Sequence, residues 1–365
     1  MRSGIEDVAA RAGVSTATVS RALRDLPNVS PATRQRVVTA ARELDYVVSA
    51  SASSLASGRT STVGVITPYI SRWFFGQVIS GAETVLRRAG FDLLLYGIDT
   101  AHRRSQFFSE LPLRRRVDAV LVLTLALDRA EVASLAGLGV PISTVGLAVP
   151  DFPSVRIDDE AGARAAVNHL LGLGHRRIAM IGTGRSTASH FTVPDHRRRG
   201  YLAALGAARI PVDDDYQVDG DYTVEGGERA MATLLTCPRL PTAVFAQSDE
   251  MAMGALRSIH KVGLRCPEDM SVVGFDDHEM AVLFDLTTVS QPVHEQGALA
   301  AGHLLAAVNG EPPPIWSQQV PTQLVVRGTT GPPPAETDGP VSGRRPPPAR
   351  TAGRGRAAGR SPRRA

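Results

Sequence analysis

A short stretch near the start of the chain has residue types and spacing suited to reading base edges. In VSTATVSRAL, residues 14–23, Thr16 and Ala17 are followed one helical turn later by Ser20 and Arg21. Small residues let a helix backbone approach bases closely. The Ala17 methyl can touch a thymine methyl. Arg21 can donate two hydrogen bonds to guanine O6 and N7, a contact that discriminates by about 1–3 kcal/mol. Thr18, Ser20 and Asn28 are candidate phosphate donors, which fix register rather than sequence.

Such residues need a scaffold to aim them. IEDVAARAG places Ile5, Val8, Ala9 and Ala12 on one amphipathic helical face, and Gly13 is a natural stop. Ser15 then caps a second helix running to about Arg24. In PNVSPATRQRVVTAARELDY, Ser30 is an N-cap, Pro31 opens the helix, and Val37, Val38, Ala41 and Leu44 form its apolar side. Helix, turn, helix and a supporting third helix is helix-turn-helix geometry, in which the second helix enters the major groove. On spacing alone, a small helical bundle that binds nothing fits too.

Charge is distributed unevenly along the 365 residues. Residues 1–60 hold eight Arg against five acids, and residues 331–365 hold eight Arg against two. The formal total is +4, so the region between carries a net −5. A basic end on an acidic body is a footprint of nucleic-acid binding. No apolar run is long enough for a membrane span or a signal peptide, so we expect a cytoplasmic, nucleoid-associated protein with no membrane partner. Cys237 and Cys266 stand far apart without a CxxC, which suggests neither a disulfide framework nor a zinc site.

Residues 47–60, VVSASASSLASGRT, are small and serine-rich, the composition of a linker. Beyond residue 62 apolar strands alternate with helices: TVGVITP, then FGQVISGAETVLRRAG, FDLLLYGID, VDAVLVLTL and VPISTVG. After Pro150 the cycle restarts with SVRID, EAGARAAVNHLLGLG, RRIAMIG, RRRGYLAALGAAR, TAVFAQSD, EMAMGALRSIHKVG and MSVVGFDD. The pattern predicts an α/β body of two doubly wound subdomains, about 61–160 with part of 291–325, and about 161–290 with the end of the body. Ligands of such folds bind at the carboxyl ends of the strands. Residues 331–365 have almost no large apolar side chains and are expected to be a disordered basic tail. That tail either adds non-specific DNA affinity or is a plain solvated extension.

Several motifs in register carry a resemblance. IEDVAARAGVSTATVSRAL and NVSPATRQRVVTAARELDY look like the head of the lactose repressor and purine repressor family of bacterial transcription regulators. GHRRIAMIG at 174–182, PTAVFAQSDEMAMGAL at 241–256, SVVGFDD at 271–277, LTTVSQP at 286–292 and QLVVRGTT at 323–330 follow in the family's order. The resemblance spans roughly residues 4–330. It implies that the linker folds as a hinge helix on DNA, with Leu55 wedged into the minor groove and Ala52 beside it. The family's usual Pro-Asn after the tyrosine is here Val48-Ser49, following Tyr46-Val47. A serine-rich hinge has low helix propensity, which makes its ordering depend on DNA.

The resemblance also implies a body similar to periplasmic sugar-binding proteins, with the effector between the subdomains. Matching positions are Trp73, Phe74 and Phe75 in RWFFGQ, Asp158 in RIDD, Arg197 in PDHRRRGY, Tyr222 in GDYTVEGG, Asp249 in SDEMAMG and Asp276 in GFDD. A carboxylate and a guanidinium can each take paired bonds from adjacent sugar hydroxyls, while rings cover the apolar sugar face. Arg197 and Asp276 are the leading pair, and Arg198 or Arg199 remain alternatives for the inward arginine.

An enzyme is the first rival. GTGRST at 182–187 lacks the lysine of a phosphate loop, and neither HExxH nor GxSxG occurs. DDHEM at 276–280 gathers acids and a histidine, but adjacent residues rarely converge on one metal. The other rivals are a transport-type sugar-binding protein and a regulator that no longer senses a small molecule. The expectation is a non-enzymatic homodimeric repressor without cofactors. Its partners would be a near-palindromic double-stranded operator and a small-molecule effector, a carbohydrate first; Arg72-Trp73 stands where relatives often have Asn-Pro, which leaves a nucleobase or another small molecule as alternatives. The family's tetramers carry a C-terminal heptad zipper, and the Pro- and Arg-rich end here has no such repeat.

Overall fold

The computed structural model describes residues 4–46, 58–183, 193–312 and 315–335. The hinge positions Ala52 and Leu55 and residues 336–365 of the expected tail lie outside the described residues.

The first three helices are α1 (Ile5–Ala12), α2 (Thr16–Leu23) and α3 (Pro31–Glu43). Their boundaries follow local chemistry. Gly13 ends α1 at φ 65°, a left-handed conformation that costs glycine nothing. The Ser15 and Ser30 hydroxyls accept from the amides of Thr18 and Thr33. Val8, Val19 and Val37 are fully buried at the centre, ringed by alanines. A core this small leaves little apolar surface to hide, so short helices with polar outer faces suffice.

The body holds two six-stranded sheets. The first is built from β1 (Thr62–Thr67), β2 (Asp92–Gly97), β3 (Ala119–Leu123), β4 (Ile142–Val145), β5 (Ser154–Arg156) and β11 (Ser317–Gln319). Its order is β11-β5-β4-β3-β1-β2, every pairing parallel. The second contains β6 (Ile178–Gly182), β7 (Gln217–Asp219), β8 (Ala243–Ala246), β9 (Ser271–Asp276), β10 (Thr287–Ser290) and β12 (Gln323–Val325). Its order is β12-β10-β9-β8-β6-β7, and only β12 runs antiparallel. The central strands are buried along their whole length, as a parallel sheet covered on both faces requires.

Helices α4 (Trp73–Arg88), α5 (Ala101–Glu110), α6 (Arg129–Ala136) and α11 (Val293–Val308) accompany the first sheet; α7 (Asp159–Gly172), α8 (Val193–Ala207), α9 (Val224–Leu234) and α10 (Asp249–Lys261) accompany the second. Close helix pairs depend on glycine. A Cβ on Gly81 or on Gly297 would fall 1.9 Å from a carbonyl oxygen of the facing helix, so α4 and α11 meet backbone to backbone. The chain crosses between the two lobes three times: after β5, after β10 and after β11.

Sequence patterning did not find α5 or α6. Their joint is a buried ion pair, in which Arg104 Nε donates to Glu131 Oε1 at 2.6 Å. A helix whose inward face carries an arginine has no clean apolar stripe. Among the described residues, no helix is long and apolar enough to cross a membrane, and no group of three or more His, Cys, Asp or Glu could hold a metal ion. The two cysteines are free thiols.

Candidate functional site

In the head, Thr16, Ala17, Arg21 and Asn28 are exposed. Thr16 and Ala17 open the first turn of α2, which Ser15 caps. Thr18 is tied into the cap, its hydroxyl 2.9 Å from that of Ser15. Ser20 accepts a hydrogen bond from Arg24 Nη2 at 2.9 Å. Arg21 folds back and donates to the Pro27 carbonyl at 3.1 Å. A base contact by Arg21 would have to replace that exposed, charge-assisted bond with two bonds to guanine. Asn28 takes φ 67° in the turn, and Arg34 ties that turn to α3 through Asp25 and the Leu26 carbonyl.

The second site is a cleft of about 400 Å³ at the carboxyl ends of both sheets, within the range of small-molecule pockets. The first lobe contributes Tyr69, Phe74, Phe75, Thr124 and Gly146. The second contributes Asp159, Arg197, Tyr222, Glu250 and Asp276. Gln291 on a crossing segment and Gln296 in α11 close the back.

Arg197 is the centre of the second lobe's wall. It is 4% exposed. Nε donates to Asp159 Oδ1 at 2.8 Å and Nη1 to Asp276 Oδ1 at 3.3 Å; Nη1 also reaches the Gln247 carbonyl. The guanidinium carbon lies 3.6 Å above the Phe275 ring. Burial by itself lowers an arginine pKa, but Asp159 and Asp276 outweigh it and raise Arg197's. Of the three consecutive arginines only Arg197 turns inward. Arg198 donates to Gln217 and Arg199 to Glu160.

The carboxylates sit in a buried, acid-rich site. Burial, opposed by Arg197, pushes Asp276 up to about 6. Burial and the neighbouring Asp276 push Glu250 up to about 7, with Arg72 opposing. Burial also raises Asp159. Tyr222, whose phenol is held up by burial, donates to Gln247 Oε1 at 2.7 Å.

Three predicted positions are displaced from the cleft wall. Asp158 caps α7, its Oδ1 accepting from the Ala161 amide at 2.9 Å, and the carboxylate at the cleft is Asp159. Asp249 is fully buried, accepting from the Thr288 hydroxyl at 2.6 Å and the His278 amide at 2.7 Å; its neighbour Glu250 lines the cleft instead. Both offsets are one residue at a helix N-terminus, where one step turns a side chain by about 100°. Trp73 stacks on His278 outside the lining, while Phe74 and Phe75 line it. Gln291 and Gln296 were missed as well. The only signal for Gln291 was its place in LTTVSQP, and Gln296 had none.

Comparison with known proteins follows the same division of the chain. Residues 4–49 match the family described as bacterial regulatory proteins, lacI family, and residues 167–330 match a periplasmic binding protein-like domain. The HTH-type transcriptional repressor CytR of Escherichia coli (strain K12) is 38% identical over 334 residues, 89% of this chain and 96% of that protein. Catabolite control protein A of Priestia megaterium is 34% identical, over 90% of this chain and 100% of that one. Among solved structures, the lac repressor dimer bound to operator and the anti-inducer ONPF matches with TM-score 0.79 and 27% identity, covering 91% of this chain and 100% of that chain. The transcriptional regulator CelR–cellobiose complex matches with TM-score 0.65 and 34% identity, covering 90% and 100%. A helix-turn-helix head, two parallel-rich sheets and near full-length identity with repressors lead to one assignment: this chain belongs to the lacI family of bacterial regulatory proteins, DNA-binding transcription regulators rather than enzymes.

Proposed function

We propose that this chain represses transcription as a homodimer on a near-palindromic operator in the cytoplasm, under control of a carbohydrate effector bound between its lobes. The observation that carries the reading is the cleft wall. Arg197 is held rigid by Asp159 and Asp276, opposite the rings of Phe74 and Phe75. Carboxylates offer acceptors to adjacent hydroxyls, and rings cover an apolar sugar face. The sugars ribose and cellobiose occupy related proteins of this family.

Homodimerisation has its own support. Val282, Leu283 and Phe284 are 66%, 76% and 41% exposed, an apolar run that a second copy would cover. Two-fold symmetry then calls for two half-sites about one helical turn or a multiple apart. Thr16, Ala17 and Arg21 would read base edges, while Thr18, Ser20 and Asn28 would contact phosphates. The proposed hinge positions Ala52 and Leu55 would enter the minor groove.

Control follows from differential affinity. An effector that favours one lobe arrangement shifts that equilibrium, and the hinge passes the shift to the head. Selection of genomic fragments by the full-length protein, with and without sugars, tests this. An enriched near-palindrome whose yield responds to a sugar supports the reading. Binding that varies only with salt, and never with sequence, refutes it.

A further inference from the structure

The first lobe's wall of the cleft carries two buried polar atoms with no partner among the described residues: Thr124 Oγ1 and Gln296 Oε1. Thr124 is 6% exposed and Gln296 1% exposed, and both residues line the cleft. Buried polar atoms in native proteins are almost always paired, so each exception calls for a reason.

Each is held in place by its surroundings. Thr124 follows β3 at φ 47°, a left-handed conformation that a β-branched residue rarely adopts. Gly146 faces it at φ 83°, and a Cβ there would fall 2.4 Å from the Thr124 methyl. The turn is thus kept with strain on one side and a glycine on the other, and its hydroxyl has no partner among the described residues. Gln296 is fixed by its amide nitrogen, which donates to Gln291 Oε1 at 3.0 Å, while Gln291 Nε2 donates to Asp276 Oδ1 at 2.7 Å. One amide N–H is given to Gln291, and the Gln296 acceptor, Oε1, is the atom left without a partner among the described residues.

We infer that Thr124 and Gln296 are the specificity-determining anchors of the first lobe, and that they select a neutral ligand rich in hydrogen-bond donors. This inference rests on the cleft being the effector site. A ligand hydroxyl or N–H donating to Gln296 Oε1 extends the chain Gln296–Gln291–Asp276–Arg197, which runs from one lobe to the other. Thr124 takes a second polar group of the same ligand. Charge argues for neutrality. The described lining holds Asp159, Asp221, Glu250 and Asp276 against Arg72 and Arg197. Arg197 is already held by two carboxylates, and the Arg72 guanidinium lies 3.7 Å over the Tyr69 ring. A phosphate or carboxylate would enter a surplus of like charge.

The test is calorimetric titration of the full-length protein with D-ribose, D-glucose, cellobiose, gluconate and glucose 6-phosphate, alongside Thr124→Val, Thr124→Ser, Gln296→Leu and Asp276→Asn variants. Melting of each unliganded variant is followed in parallel. A neutral sugar is expected to bind. Thr124→Val and Gln296→Leu should each weaken it about tenfold or more, Thr124→Ser less than threefold. Thr124→Val should melt no lower than the parent, because an unpaired hydroxyl is replaced by a methyl of the same shape. Binding by the two anions alone, or by none of the five, overturns the ligand class. If Asp276→Asn weakens binding while Thr124→Val and Gln296→Leu do not, the cleft reading stands and the two anchors fall. If none of the three matters, the ligand sits elsewhere and the cleft reading falls too.

Discussion

The indole of Trp73 stacks on the imidazole of His278, with ring centroids 4.6 Å apart and 32° between the planes. Trp73 opens α4 on the first lobe, and His278 follows β9 on the second, so the pair spans the lobes beside the cleft. The indole nitrogen is buried without a partner among the described residues. Trp73 and Trp316 are the only tryptophans. In a Trp316→Phe background, His278→Ala is expected to shift Trp73 emission to the red as the ring loses its cover. Unchanged emission would mean that the two rings do not meet in solution.

Arg21 is predicted to carry base preference. Arg21→Ala should lower the ratio of specific to non-specific binding by about tenfold or more per half-site, since one bidentate guanine contact contributes roughly 1–3 kcal/mol. Titration of the selected operator and a scrambled duplex at two salt concentrations measures it. An equal loss on both duplexes would make Arg21 a phosphate contact instead.

Sugar affinity should depend on pH through Asp276. Burial, opposed by Arg197, raises its pKa to about 6. Hydroxyl donors favour the ionised form and lower that pKa in the complex. Affinity should therefore be level above about pH 7 and fall as pH drops through 6, with proton uptake on release of the sugar. Titration in two buffers of different ionisation enthalpy reads the proton directly. The same slope in Asp276→Asn would assign the effect to another group.

Asp249 makes a separate prediction about folding. Burial and nearby Asp276 push it up to about 7, far above the usual aspartate value near 3.9. Between those two values the unfolded chain binds fewer protons than the folded one, so stability falls as pH rises. Asp249→Asn stays neutral throughout. The parent's stability relative to this variant should drop between about pH 4 and pH 7, then level off. Urea unfolding at pH 5 and pH 8 gives the two values, and a pH-independent difference would contradict an elevated Asp249.

Local signals made the head legible in the sequence. Gly13, Ser15 and the Ser30-Pro31 step each act within a few residues, and each sits where its chemistry places it. The strand–helix alternation was legible too, because central strands such as Ala119–Leu123 are continuously apolar. Long-range relations were not. Asp158 and Asp159 differ in role only through which of them caps α7. Gln296 matters because its nitrogen meets Gln291 while its oxygen has no partner among the described residues, an arrangement that depends on α11 returning to the first lobe. No window of neighbouring residues encodes such a meeting.

The three crossings between lobes also set an order of assembly during synthesis. The first sheet has five of its strands by residue 156, yet α11 and edge strand β11 come from residues 293–319, after nearly all of the second sheet. At about 5–20 residues per second, the ribosome needs roughly ten to thirty seconds to deliver them. Through that interval β5 has an open edge, and the faces of α4 later met by α11 lie bare to water. The nascent first lobe therefore stays incomplete until residues 293–319 arrive, and neither lobe is a contiguous segment that could be clipped out and expected to fold alone.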